Sequence, residues 1–168
     1  MRIQKLLISA ATSCFLVGAS GAAVAANCAA GVINNRTVNN LNVTGTNCYV
    51  SETIVKGNVT VTDSPWFAMI NNRVLGKITI TGGDGVLLKD NELFDDRVRV
   101  DGTGIVWIFS NRLQGDPTTS NMVLKNSADE VEIFNNTVDG NLVCENNNFQ
   151  LASGNVVGGT NTCISQNP

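Results

Sequence analysis

The sequence predicts an all-β fold, a single-domain β-solenoid of about six to seven coils with repeats of about 19 residues. Three observations predict it. A segment grammar recurs at that interval from residue 27 onward, each unit alternates apolar and polar residues with the period of a strand, and no window there has the 3.6-residue period of an amphipathic helix.

Residues 1–26 come first. They carry Arg2 and Lys5, then an uncharged run of Leu, Ile, Ala, Val and Gly, and they end in AAVAA with small residues at A-x-A spacing. These are the marks of a secretory signal peptide, too short and wrongly flanked for a membrane span. A rival reading makes Cys14 a lipid-attachment residue after Thr12 and Ser13, but Ala11 stands where a larger aliphatic is usual, and the apolar run continues beyond it.

Residues 27–168 are the expected folded domain. Taking 26 from 168 leaves 142 residues; with Arg2 and Lys5 gone, 9 of the 11 basic residues face 14 acidic ones, a net charge of −5. That is the size of one domain. The cations are not gathered into a basic stripe, so nucleic acid is not an expected partner. No second apolar run is long enough to span a bilayer. The expected location is therefore secreted, extracellular or periplasmic.

The repeat aligns on one residue per unit: Asn72 (MINNRVLG), Asn91 (LKDNELFD), Asn111 (IFSNRLQG), Asn136 (IFNNTVDG) and Asn155 (ASGNVVGG), spaced 19, 20, 25 and 19 residues apart. Thr53 continues the register 19 residues upstream, and Asn35 continues it more weakly 18 before that. An apolar residue stands three before each anchor (Val32, Val50, Met69, Leu88, Ile108, Ile133, Ala152), and one usually stands two after it. A small or turn residue follows, often glycine, and then strands such as VTV at 59–61, ITI at 78–80 and VRV at 98–100. Their branched side chains suit a pleated surface.

One such unit cannot bury its apolar face alone. Stacking the units about 4.8 Å apart closes a continuous interior column. Asparagine tolerates the left-handed backbone of a corner, and its amide can bond the same amide in the coils above and below. Asn72, Asn91, Asn111, Asn136 and Asn155 are thus expected to form a structural ladder. Phe109 and Phe134, two before their anchors, are expected to stack as a core or corner ladder. The longer interval before Asn136 places a loop at GDPTTSN, residues 115–121.

These [IL]-x-x-N-x-[VL]-x-G units resemble the right-handed parallel β-helix repeats of pectate-lyase-like proteins, over about Asn27 to Ile164. The resemblance implies a right-handed coil; a left-handed one would show a stricter hexapeptide rhythm with units of about 18 residues. The chain is shorter than the large enzymes of that superfamily, and a shared fold does not specify chemistry.

Cys14 leaves with the signal peptide, so Cys28, Cys48, Cys144 and Cys163 remain, with three possible connectivities. The intervals 28 to 48 and 144 to 163 are each one repeat. Cys28–Cys48 and Cys144–Cys163 are therefore the expected disulfides, one staple near each end, where open strand edges fray. With no histidine and no C-x-x-C spacing, neither a metal site nor a cofactor is expected. GGDG at 82–85 reads as a turn, not a calcium loop.

Three clusters are candidate sites. Asp95, Asp96, Arg97, Arg99 and Asp101, with Asp116 on a neighbouring corner, offer the carboxylates that pectinase-type chemistry uses on such scaffolds; two flanking a scissile bond would sit about 5–10 Å apart. The plainer alternative has these charges alternating outward around Val98 and Val100, merely solvating a strand. Thr60, Thr62, Thr79 and Thr81, with Thr44 as an extension, resemble a short ice-binding rank, although threonine is also simply a good exposed strand residue. Trp107 faces outward in a column with Leu87 and Ala68, and together with Arg99 it is the expected binding surface for a sugar ring or a partner protein.

The functional expectation is a secreted non-enzymatic β-solenoid, a surface, matrix or binding module for carbohydrate or protein. A lyase or hydrolase of acidic polysaccharide is the alternative, and ice binding a minor third. Expected partners are a polysaccharide or a surface protein, and open end coils would permit end-to-end self-association.

Overall fold

A computed structural model of the chain describes residues 25–28, 31–94 and 97–165. Residues 1–24 of the expected signal peptide lie outside the described residues, as do Asp95 and Asp96. Among the described residues there is no helix, and 21 strands form seven coils.

The first coil holds β1 (Ala25–Asn27), β2 (Val32–Asn34) and β3 (Thr37–Val38); the second holds β4 (Asn40–Thr44), β5 (Cys48–Ser51) and β6 (Ile54–Val55). The third has β7 (Val59–Thr62), β8 (Trp66–Ile70) and β9 (Arg73–Val74); the fourth β10 (Ile78–Thr81), β11 (Gly85–Lys89) and β12 (Glu92–Leu93). The fifth has β13 (Arg97–Asp101), β14 (Ile105–Phe109) and β15 (Arg112–Leu113); the sixth β16 (Asn121–Lys125), β17 (Glu130–Phe134) and β18 (Thr137–Val138). The seventh closes with β19 (Leu142–Glu145), β20 (Gln150–Ser153) and β21 (Val156–Val157). Every coil gives one strand to each of three seven-stranded parallel sheets, a parallel β-solenoid of the right-handed type.

Alternation decides which side chains enter the axis. In the first sheet Leu41, Val59, Ile78, Val98, Met122 and Leu142 stack in one inward column, each at most 1% exposed. The second sheet contributes Val50, Met69, Leu88, Ile108 and Ile133, and the third contributes Val55, Val74, Leu93, Leu113 and Val138. Burying each such side chain stabilises the fold by about 1.5–3 kcal/mol before the entropy of ordering is set against it.

The asparagines sit at the corner between the second and third sheets. Each Nδ2 donates to the Oδ1 of the next: Asn72 to Asn91 at 3.0 Å, Asn91 to Asn111 at 2.9 Å, Asn111 to Asn136 at 3.1 Å and Asn136 to Asn155 at 3.0 Å. The same Oδ1 atoms also accept the backbone N–H of the preceding coil, and each Nδ2 donates again to a carbonyl such as Met69 O. A buried amide is tolerated because all its groups are paired.

Two details of the corner differ from the sequence reading. The left-handed residue is the one before each anchor position: Asn35, Glu52, Asn71, Asp90, Ser110, Asn135 and Gly154, with φ from 48° at Glu52 to 69° at Gly154. The ladder residue is thereby freed to turn its amide inward. The first coil is also shifted by one residue. Ile33 pairs with Val50 and is buried, whereas Val32 is 58% exposed. Asn35 thus belongs to the left-handed column, and Arg36 occupies the anchor place.

The disulfides are Cys28–Cys48, with Cα atoms 5.8 Å apart, and Cys144–Cys163, at 4.9 Å. Leu142 bridges Asn161, which puts Cys163 directly beside Cys144 in one column. Cys28 instead follows β1 at the corner into the second sheet, and its bond crosses to the first residue of β5. Beyond β21 the chain folds back over the last coil: Gln150 Nε2 donates to Ile164 O at 2.6 Å, and Ser165 Oγ bonds Ala152 at 3.0 Å. Disulfides of this kind suit an oxidising compartment.

Candidate functional site

The outward face of the second sheet is unusually apolar. Strand alternation sends three columns of side chains to solvent there. The first contains Trp66, Gly85, Ile105 and Glu130; the second Tyr49, Ala68, Leu87, Trp107 and Glu132; the third Ile70, Lys89, Phe109 and Phe134. Gly85 is a slot for an indole, since a Cβ there would lie 2.2 Å from Trp66 Cζ3. Laid across the slot, Trp66 meets Trp107 edge to face, with centroids 5.6 Å apart and planes at 75°. Ala68, in the same outward column as Trp107, is only 2% exposed. Phe109 and Phe134 stack at 5.9 Å, but on this outer face and half-buried, not in the core.

Glu130 and Glu132 stand in register with Ile105 and Trp107, and Leu151 follows Glu132 in the last coil. Burial, and then the adjacent Glu130 carboxylate, push Glu132 above the usual carboxylate range. Trp107 Nε1 is buried and has no hydrogen-bond partner.

The charged candidates are arranged differently. Arg97, Arg99 and Asp101 all point outward from β13 on the first sheet. Arg99 Nη2 bonds Asp101 Oδ2 at 2.5 Å, and Asn126 Nδ2 donates to Asp101 Oδ1 at 2.8 Å. The Asn126 bond first, and then Arg99, hold Asp101 below its ordinary value. It is kept as a carboxylate, the state of an ion-pair partner and not of a proton donor. Arg97, Arg99, Lys125, Asn121 and Asn141 rim a shallow open hollow on this sheet, in which Lys125 is paired with Glu145. Asp116 lies in the 115–121 loop and is spent on its own turn. Its Oδ1 accepts the N–H and hydroxyl of Thr118 at 2.8 and 2.7 Å, which lowers its pKa. Among the described residues, no group of three or more His, Cys, Asp or Glu side chains could hold a metal, and no helix is long and apolar enough to cross a membrane.

The threonines form two outward columns of the first sheet, Thr60–Thr79 and Thr44–Thr62–Thr81. Arg99 and Asp101 end them in the fifth coil. No family model, curated protein or solved structure matches the chain.

Sequence reasoning found Leu87 and Trp107 but missed Trp66, Ile105 and the glutamates. A signal existed: Trp66, Gly85, Ile105 and Glu130 each stand six residues before an anchoring asparagine, as Ala68, Leu87, Trp107 and Glu132 stand four before.

Proposed function

We propose that the protein is a secreted, non-enzymatic β-solenoid binding module, and that the outer face of its second sheet is the ligand face. One observation carries the reading: a contiguous aromatic and aliphatic stripe on strands whose outward positions would ordinarily be polar. Half-exposed aromatic clusters on a protein face bind either sugar rings or protein surfaces. The solenoid holds the stripe on paired strands, so the face is preorganised and binding orders little additional chain. A lyase or hydrolase reading has less support, because Asp101 and Asp116 are already committed to Arg99, Asn126 and Thr118.

The test compares Leu87→Asp with Thr79→Asp, one on each sheet. Both are screened against cello-, xylo- and chito-oligosaccharides and a set of amphipathic peptides. Leu87→Asp should abolish every interaction that the parent shows while preserving its circular dichroism, and Thr79→Asp should preserve both. Equal losses in the two variants would refute the assignment of the face.

A further inference from the structure

We infer that the occupant of this face is a protein surface presenting lysine or arginine side chains between apolar ones. The inference rests on the ligand face just proposed and names its partner. Charge complementarity carries it. Glu130 and Glu132 project from β17 on the same side, two residues apart and half-buried, with Glu132 set between Trp107 and Leu151 in the apolar stripe. No cation pairs with either among the described residues. Asp84 and Asp129 add exposed carboxylates at the adjoining corner. The one cation of the face, Lys89, lies 3.8 Å from Asp90.

The two carboxyl groups lie within hydrogen-bonding reach of each other beside an indole, and keeping both charged there is costly in the free protein. A cationic side chain set between them would relieve that cost and could lie against the Trp107 ring. The geometry also favours protein over sugar. A stacking platform presents flat ring faces, whereas Trp66 and Trp107 stand at 75°. The stripe is three columns wide and spans several coils, which matches a protein contact better than a single sugar chain.

The two tryptophans of the sequence, Trp66 and Trp107, both lie on this face, so intrinsic emission reports its occupancy directly. The probes are a peptide alternating Lys and Leu, its Glu and Leu counterpart, and a glucosamine hexamer. The Lys peptide should shift the emission and the other two should not. Glu130→Gln/Glu132→Gln should weaken that binding about tenfold. Glu52→Gln/Glu92→Gln, which removes the same net charge from exposed positions elsewhere, should leave it unchanged. Equal weakening by the two double variants would reduce the effect to net charge and overturn the inference. Equal binding of both peptides, binding of the hexamer alone, or an emission change on raising protein concentration alone would overturn the partner while leaving the ligand face standing. Silence toward every probe would overturn both.

Discussion

Replacing Asn91 by alanine removes the middle of the amide ladder, and its cost follows from the bonds lost. Asn91 Oδ1 accepts the backbone N–H and the Nδ2 of Asn72, at 2.9 and 3.0 Å. Its own Nδ2 donates to Met69 O and to Asn111 Oδ1, each at 2.9 Å. Truncation strands two donors on Asn72, which is only 3% exposed and out of reach of water. Asn111 Oδ1 is less affected, because it keeps the Asn91 backbone N–H. At about 1–3 kcal/mol for each stranded buried group, the expected loss is about 3–5 kcal/mol. Asn155→Ala strands the same two donors on Asn136, which is itself fully buried, but Asn155 is half-exposed, so water can enter the vacated place and pair with them; a smaller loss of about 1–2 kcal/mol is expected. Urea unfolding followed by circular dichroism should show a lower midpoint at unchanged slope for both variants. An Asn91→Ala loss no larger than that of Asn155→Ala would refute the claim that buried, paired amides stabilise the corner.

Other consequences are equally concrete. Cys144→Ser/Cys163→Ser opens a link between residues 19 apart, and thermal or urea unfolding should show a loss of about 3 kcal/mol. Gly85→Ala pushes the Trp66 ring out of its slot; the side chain can swing, so about 1 kcal/mol is expected, with a red-shifted emission as the clearer readout. Glu132 has a raised folded-state pKa. Its contribution is fully present below the unfolded value and is lost as pH rises through the folded one, so stability from this group should decline as pH rises above the ordinary carboxylate range. Glu132→Gln should remove that decline and stabilise the neutral-pH protein by roughly a few tenths of a kcal/mol, a half-buried group being partly screened. An unchanged pH profile in unfolding experiments would count against the Glu130–Glu132 repulsion.

The solenoid was legible because its periodicity is written in buried positions. An asparagine that must match its neighbours above and below cannot drift, so the spacing from Asn72 to Asn155 survives even the inserted loop. The first coil was misread for a physical reason as well. Val32–Asn35 fits the motif as well as Ile33–Arg36 does, and only packing reveals that Ile33 is the residue inside. In Asn71–Asn72 and Asn135–Asn136 either residue could take the left-handed backbone, and the sequence does not say which one turns inward. The ligand face was half visible. Leu87 and Trp107 follow from simple alternation, but the Trp66–Trp107 contact depends on the absent side chain of Gly85 between them. The Glu130–Glu132 pair becomes conspicuous only once the register sets it beside that indole.

The stacking of coils is tested most directly by nuclear Overhauser contacts between side-chain amides in the uniformly labelled protein. Asn91 should show cross-peaks to the amide protons of both Asn72 and Asn111, residues 19 and 20 positions away that only adjacent coils bring to 3.0 and 2.9 Å. Contacts confined to sequence neighbours, with none running from Asn72 through to Asn155, would contradict the solenoid and everything built on its faces.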